Sequence, residues 1–149
     1  MTEIAFYHLQ KSPLETVLPR LLIRTLDSGK RAIVLAGSEE RVEHLTSALW
    51  TFDQDAWLPH GNKKDGRADE QPIWLTHTNE NPNGASFLFQ TDGVAADDLA
   101  VFERCFDLFD GNDPSAVDAA RARWSTFKAA GHTLTYWQQD ERGTWKQKS

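Results

Sequence analysis

Residues 105–137, CFDLFDGNDPSAVDAARARWSTFKAAGHTLTYW, read as strand, helix and strand in direct succession, and that order decides the fold class. Cys105 to Phe109 is a short apolar run. Asp113 offers a carboxylate to the free amides of a first helical turn, and Pro114 stands where a missing N–H costs nothing. Val117, Ala120, Trp124 and Phe127 recur at helical spacing and predict an inward stripe. Gly131 supplies the left-handed residue that closes many helices, and Thr133, Thr135, Tyr136 and Trp137 favour an extended chain after it.

The same alternation extends toward the amino terminus. Ile4 to Tyr7 predicts a first strand, and Ser12, Pro13 and Glu15 have the pattern of a capping box opening a helix. Leu14, Val17, Leu18, Leu21, Leu22 and Leu26 form its apolar stripe, and Gly29 ends it. Pro19 removes one helix hydrogen bond and predicts a kink, or a helix whose regular part begins near it. Ala32 to Ala36, AIVLA, is too short for a helix and suits a strand buried on both faces. A second helix follows Gly37 and Ser38, with Val42, Leu45, Ala48 and Leu49 inward, and runs out near Trp50. Gly61 to Gln71 reads as a charged surface loop, Ile73–Thr76 and Ser86–Gln90 as two short strands, and Asp98–Glu103 as a helical turn or two. Strands alternating with helices predict an α/β protein, a Rossmann-like three-layer fold with a mostly parallel central sheet.

A chain of 149 residues suits one domain. The one cysteine, Cys105, lies in an apolar run and cannot form an internal bridge, which fits a small buried side chain in a reducing compartment. No segment approaches the ~20 apolar residues of a membrane span, and the start, MTEIAFYHLQ, lacks the basic region of a leader, so the expectation is a cytoplasmic protein. The formal charge of −6 argues against a main role in gripping DNA phosphates. The charge is uneven. Residues 1–110 carry 10 Lys or Arg against 18 Asp or Glu, whereas residues 111–149 carry 6 against 4, so an acidic partner is steered toward the carboxyl end.

The chemistry of an enzyme is missing from the pattern. After the first strand the chain reads YHLQKSP, without the glycines of a nucleotide-binding turn. Gly61 to Gly66 has the spacing of a phosphate loop, but Arg67 and Ala68 replace the required Lys and Ser or Thr. His8, His44, His60, His77 and His132 are scattered without metal-ligand spacing, and Asp97–Asp98 and Asp69–Glu70 are neighbours rather than an acid–base pair. No cofactor and no catalysis are expected. The rival classes are an α/β enzyme with a degenerate nucleotide pocket and a direct binder of single-stranded DNA.

On the predicted helix from Asp113, Arg121, Ser125 and Lys128 recur on a face beside the apolar stripe, with Trp124 bordering both. An Arg fork beside an aromatic wall suits the carboxylate end of an acidic, apolar peptide, although basic residues late in a helix also relieve its dipole. Six Trp residues make aromatic anchors for partners a second theme.

The succession FYHL, SGKRAIVLA, SALWTFDQDAWLPHG, FERCFDLFDGND and AARARWSTFKAAGHTLTYW resembles the chi subunit family of bacterial DNA polymerase III holoenzyme, over nearly the whole chain to Trp137. The resemblance implies one chi-like α/β domain over residues 1–149, without catalytic residues of its own, that touches DNA only through other proteins. It implies two partners: the psi subunit, which joins chi to the clamp loader, and the acidic C-terminal tail of single-stranded-DNA-binding protein. For the tail it carries over Arg121 as the residue engaging the terminal carboxylate, with Trp124 and Phe109 as apolar walls; Lys128 is added on helical geometry. For psi it carries over Trp50, Trp57 and Pro59. Trp50, at a helix end, fits core packing as well as a partner surface, and a helicase competing for the Trp57 surface is a further partner consistent with the resemblance. The stretches 61–71 and 138–149 match the family least, and no site is assigned to them.

Overall fold

The computed structural model describes residues 2–53 and 58–148. The chain runs β1 (Glu3–Leu9), α1 (Leu14–Asp27), β2 (Ala32–Leu35), α2 (Glu39–Thr51), β3 (Gly61–Asn62), β4 (Ile73–Thr76), β5 (Phe87–Gln90), β6 (Arg104–Asp110), α3 (Pro114–Ala129), β7 (Thr133–Gln139) and β8 (Trp145–Gln147). Single 3-10 turns occupy Ala68–Glu70 and Leu99–Val101. The strands form one eight-stranded sheet in the order β3-β4-β2-β5-β6-β1-β7-β8. Every pairing is parallel except that of β7 with β8.

Strand periodicity divides the core into two layers. Ala5, Val34, Phe89, Phe106 and Leu108 face α1 and α2, while Ile4, Phe6, Ile33, Leu88, Cys105 and Phe109 face α3. Both faces of the central strands are therefore apolar, as a parallel sheet covered on both sides requires. On α1, Val17, Leu18, Leu21 and Leu22 are buried, each stabilising the layer by about 1.5–3 kcal/mol relative to exposure.

Four local expectations need correction. The capping box at Ser12 and Glu15 does not form: Pro13 is the residue before α1 and supplies no side-chain cap. The Ser12 hydroxyl instead accepts from Gln139 Nε2 at 3.2 Å, and the Glu15 carboxylate pairs with His44 at 2.9 Å. Of the two alternatives at Pro19, the delayed helix does not occur: α1 already runs from Leu14, with Pro19 inside it and buried. Gly61 and Asn62, read as the start of a loop, form a buried edge strand against Trp74 and Leu75 of β4. The strand after α3 continues past Trp137 to Gln139, with Gln138 paired to both β1 and β8 and Gln139 to β8.

α3 follows its sequence signals closely. The Asp113 carboxylate accepts from the Ser115 amide at 3.0 Å, Pro114 is the first helical residue, and Gly131 has φ +91°. Ala120 and Phe127 are buried, and Val117 and Trp124 pack half-exposed on the same layer.

Candidate functional site

α3 lies across the β6, β1 and β7 part of the sheet and leaves a gap along one flank. Phe6, Phe109, Val117, Arg121, Trp124, Tyr136 and Lys148 line a cavity of about 500 Å³ there. Its wall is an aromatic cluster. The Trp124 ring meets Phe6 edge-on at 5.3 Å and Tyr136 at 6.1 Å, and Phe109 lies 6.2 Å from Tyr136. Such edge contacts fix the rings and leave an indole face available to a ligand.

Arg121 stands at the mouth of this cavity. Its side chain is 78% exposed, and its ion-pair partner Asp118, one turn earlier, is equally exposed and 3.9 Å away. A pair this loose and hydrated contributes little to stability, so the guanidinium can exchange it for an incoming carboxylate at small cost. Lys128, exposed about two turns farther along α3, is not among the residues that line the cavity.

Arg123, two positions on, has the opposite fate. Its Nε and a terminal nitrogen donate to the two Asp107 carboxylate oxygens at 2.7 and 2.8 Å, with only 11% of the Arg and 2% of the Asp side chain exposed. Gln90 Nε2 adds a bond to Asp107 at 3.2 Å. Burial pushes the Asp107 carboxyl pKa up, and Arg123 and Gln90 pull against that shift. This pair is structural, and it was not foreseen. The signal was present: a lone acid in CFDLF, inside a strand buried on both faces, requires a cation.

Behind the aromatic wall, His8 is buried, its Nδ1 in a short hydrogen bond with the Tyr136 hydroxyl. Burial is the main cause that lowers the His8 pKa; the nearby Arg121 charge lowers it further, while the Gly111 backbone and Asp110 oppose.

The partner face expected around Trp50 lies at the far end of α2. Trp50 is 70% exposed, so the core-packing alternative does not hold; its ring rests against the buried His60, at 4.8 Å. His60 is fixed through Nδ1 to the Leu58 carbonyl at 2.8 Å, and Pro59 between them is half-buried. Trp57, the third residue of that expectation, lies outside the described residues.

The family model described as DNA polymerase III chi subunit, HolC, matches residues 1–135. This chain belongs to the DNA polymerase III chi subunit family. It is also 31% identical over 88 residues to a Rickettsia prowazekii (strain Madrid E) protein described as a probable DNA polymerase III subunit chi, an overlap that covers 59% of this chain and 53% of that relative. The chain thus spans about half the length of the curated relative it matches.

In this chi-family chain three backbone donors at the place where α/β proteins hold nucleotides are already engaged. The carboxyl ends of the strands open onto a cleft of about 980 Å³. The amides of Lys11 and Ser12, in the turn after β1, donate to Gln139 Oε1 at 3.1 and 3.3 Å. The Gly37 amide, in the turn after β2, donates to the Asp92 carboxylate at 2.9 Å. Backbone donors that would cradle a phosphate are occupied by the protein's own acceptors. Among the described residues no group of three His, Cys, Asp or Glu side chains could hold a metal ion, and no helix is long and apolar enough to cross a membrane. Cys105 is 1% exposed, and burial pushes its thiol pKa well up, away from reactivity.

Proposed function

We propose that this chain is a non-catalytic adaptor of the polymerase III clamp-loader complex, in the cytoplasm, that holds the acidic C-terminal tail of single-stranded-DNA-binding protein on α3 and the psi subunit on the Trp50 face. The observation that carries the first half is the exposed Arg121 guanidinium at the mouth of an aromatic cavity. A peptide ending in an apolar side chain and a free carboxylate needs that combination: a fixed cation for the carboxylate and rings for the side chain. Trp124 and Phe109 supply the walls, Arg121 the terminal contact, and Lys128 a charge for the tail's preceding acids. The excess of Lys and Arg in residues 111–149 favours the approach of an acidic segment to this end.

For psi, the exposed Trp50 indole beside Pro59 supports a partner anchor, since a large aromatic left in water gains most by being covered. Trp57 belongs to the same proposal, with a helicase as an alternative occupant. A nucleotide-binding enzyme is disfavoured by the occupied amides at the cleft, and a single-strand DNA binder by the negative charge. The deciding experiment is a titration with the acidic tail peptide in free-acid and amidated forms. Binding of the free acid alone supports the reading; equal binding of both, or of neither, rejects the carboxylate clamp.

A further inference from the structure

The cavity on α3 is closed from the opposite side by the end of the chain. β8 pairs antiparallel with β7, Gln147 opposite Trp137, and the ladder gains one more bond where the Lys148 amide donates to the Tyr136 carbonyl at 2.7 Å. Strand side chains alternate between faces. Trp145 turns to the α1 and α2 face, meeting the Tyr7 ring at 4.9 Å, which sends Lys146 and Lys148 to the face of α3.

The two lysines differ in what they meet. Lys146 lies 4.0 Å from the Asp140 carboxylate. Lys148 is within electrostatic reach of Asp140 but forms no ion pair among the described residues, is exposed, and lines the cavity. Arg121 from the helix and Lys148 from the sheet edge are the two cations among the lining residues, with Trp124 and Tyr136 also in the lining. β8 begins ten residues past residue 135, where the family match ends.

We infer that Lys148 is a further cationic contact of the tail site, beside Arg121 and Lys128, pairing with an acidic side chain that precedes the terminal carboxylate while Arg121 holds the carboxylate itself. This rests on the adaptor reading of the Arg121 cavity. A tail seated on Arg121 and running over Trp124 and Tyr136 brings its preceding residues toward the β8 rim. The contact is solvated, so it discriminates between acidic and neutral tails and responds to salt, and adds only modestly to affinity.

The test compares Lys148→Gln, Arg121→Ala and Arg20→Gln, the last an exposed charge on α1 as a control for net charge. Each is titrated with a free-carboxylate acidic peptide and with the same peptide whose upstream acids are replaced by amides. Lys148→Gln should weaken the acidic peptide roughly two- to fivefold at low salt and leave the neutralised peptide unchanged, while Arg121→Ala weakens both. Loss with Arg121→Ala but none with Lys148→Gln overturns the Lys148 contact alone, as does an equal loss with Arg20→Gln. No effect of Arg121→Ala on either peptide overturns the adaptor reading beneath it.

Discussion

Arg121 and Arg123 stand two residues apart on α3 and end in opposite settings: one 78% exposed at a cavity mouth, the other 11% exposed and locked on Asp107. Two positions, a little over half a helical turn, send them to different faces of α3, and the two should respond differently to the same truncation.

Arg121→Ala is expected to weaken binding of the free-carboxylate tail by about 2 kcal/mol, the scale of a hydrogen-bonded charge pair losing one member. Its denaturation midpoint should stay that of the parent, since the Asp118 pair is loose and exposed. Fluorescence anisotropy and urea melts check the two halves.

Arg123→Ala leaves a buried carboxylate without its cation and should cost about 3–5 kcal/mol of stability. Asp107→Asn is milder, because the Asn side chain keeps a hydrogen-bonding group in place. Chemical denaturation of the variants measures this; a midpoint for Arg123→Ala equal to the parent's refutes the structural role.

Both outcomes bear on what the sequence revealed. The cap, first-turn proline and closing glycine of α3 are local signals, and each sits where the sequence placed it. The Arg123–Asp107 pair depends on which residue of β6 lies beneath which turn of α3, a register that no local pattern encodes. The capping box at Ser12 failed for a related reason: a distant residue, Gln139, competes for the Ser12 side chain. Nothing in the sequence marks Lys148, because its place at the cavity rim exists only once β8 pairs with β7.

Trp50→Ala removes an indole that is 70% exposed, so the fold should lose no more than about 0.5 kcal/mol. Co-purification with psi should drop sharply. Retention of psi at the parent's level would remove Trp50 from the proposed partner surface.

His8 should titrate below the usual histidine value of about 6.5. A folded pKa below the unfolded one means that the unfolded chain takes up its proton first as the pH falls. The stability supplied by neutral His8 is therefore complete above the unfolded value and is lost as the pH drops through it toward the folded one. NMR titration of the imidazole checks the direction; a midpoint at or above 6.5 contradicts it.

Gly111→Ala should be severely destabilising without any special backbone angle. A Cβ at this position would sit 1.9 Å from His8 Cδ2 and 2.8 Å from the Leu9 carbonyl oxygen. The His8 ring is hemmed in by Phe109 and Tyr136, so relief requires moving the aromatic wall. A loss of about 2 kcal/mol or more, together with weakened tail binding, is expected, read by thermal melts and anisotropy. A variant as stable as the parent would show that the wall yields freely.

Gln139 reaches from the end of β7 to the turn after β1. One carboxamide stoppers the turn after β1, taking both of the amides that an anion would otherwise meet there. The same stopper is removable. Exchanging Gln139 for a shorter residue uncorks the Lys11 and Ser12 donors and opens the end of the cleft to an anion.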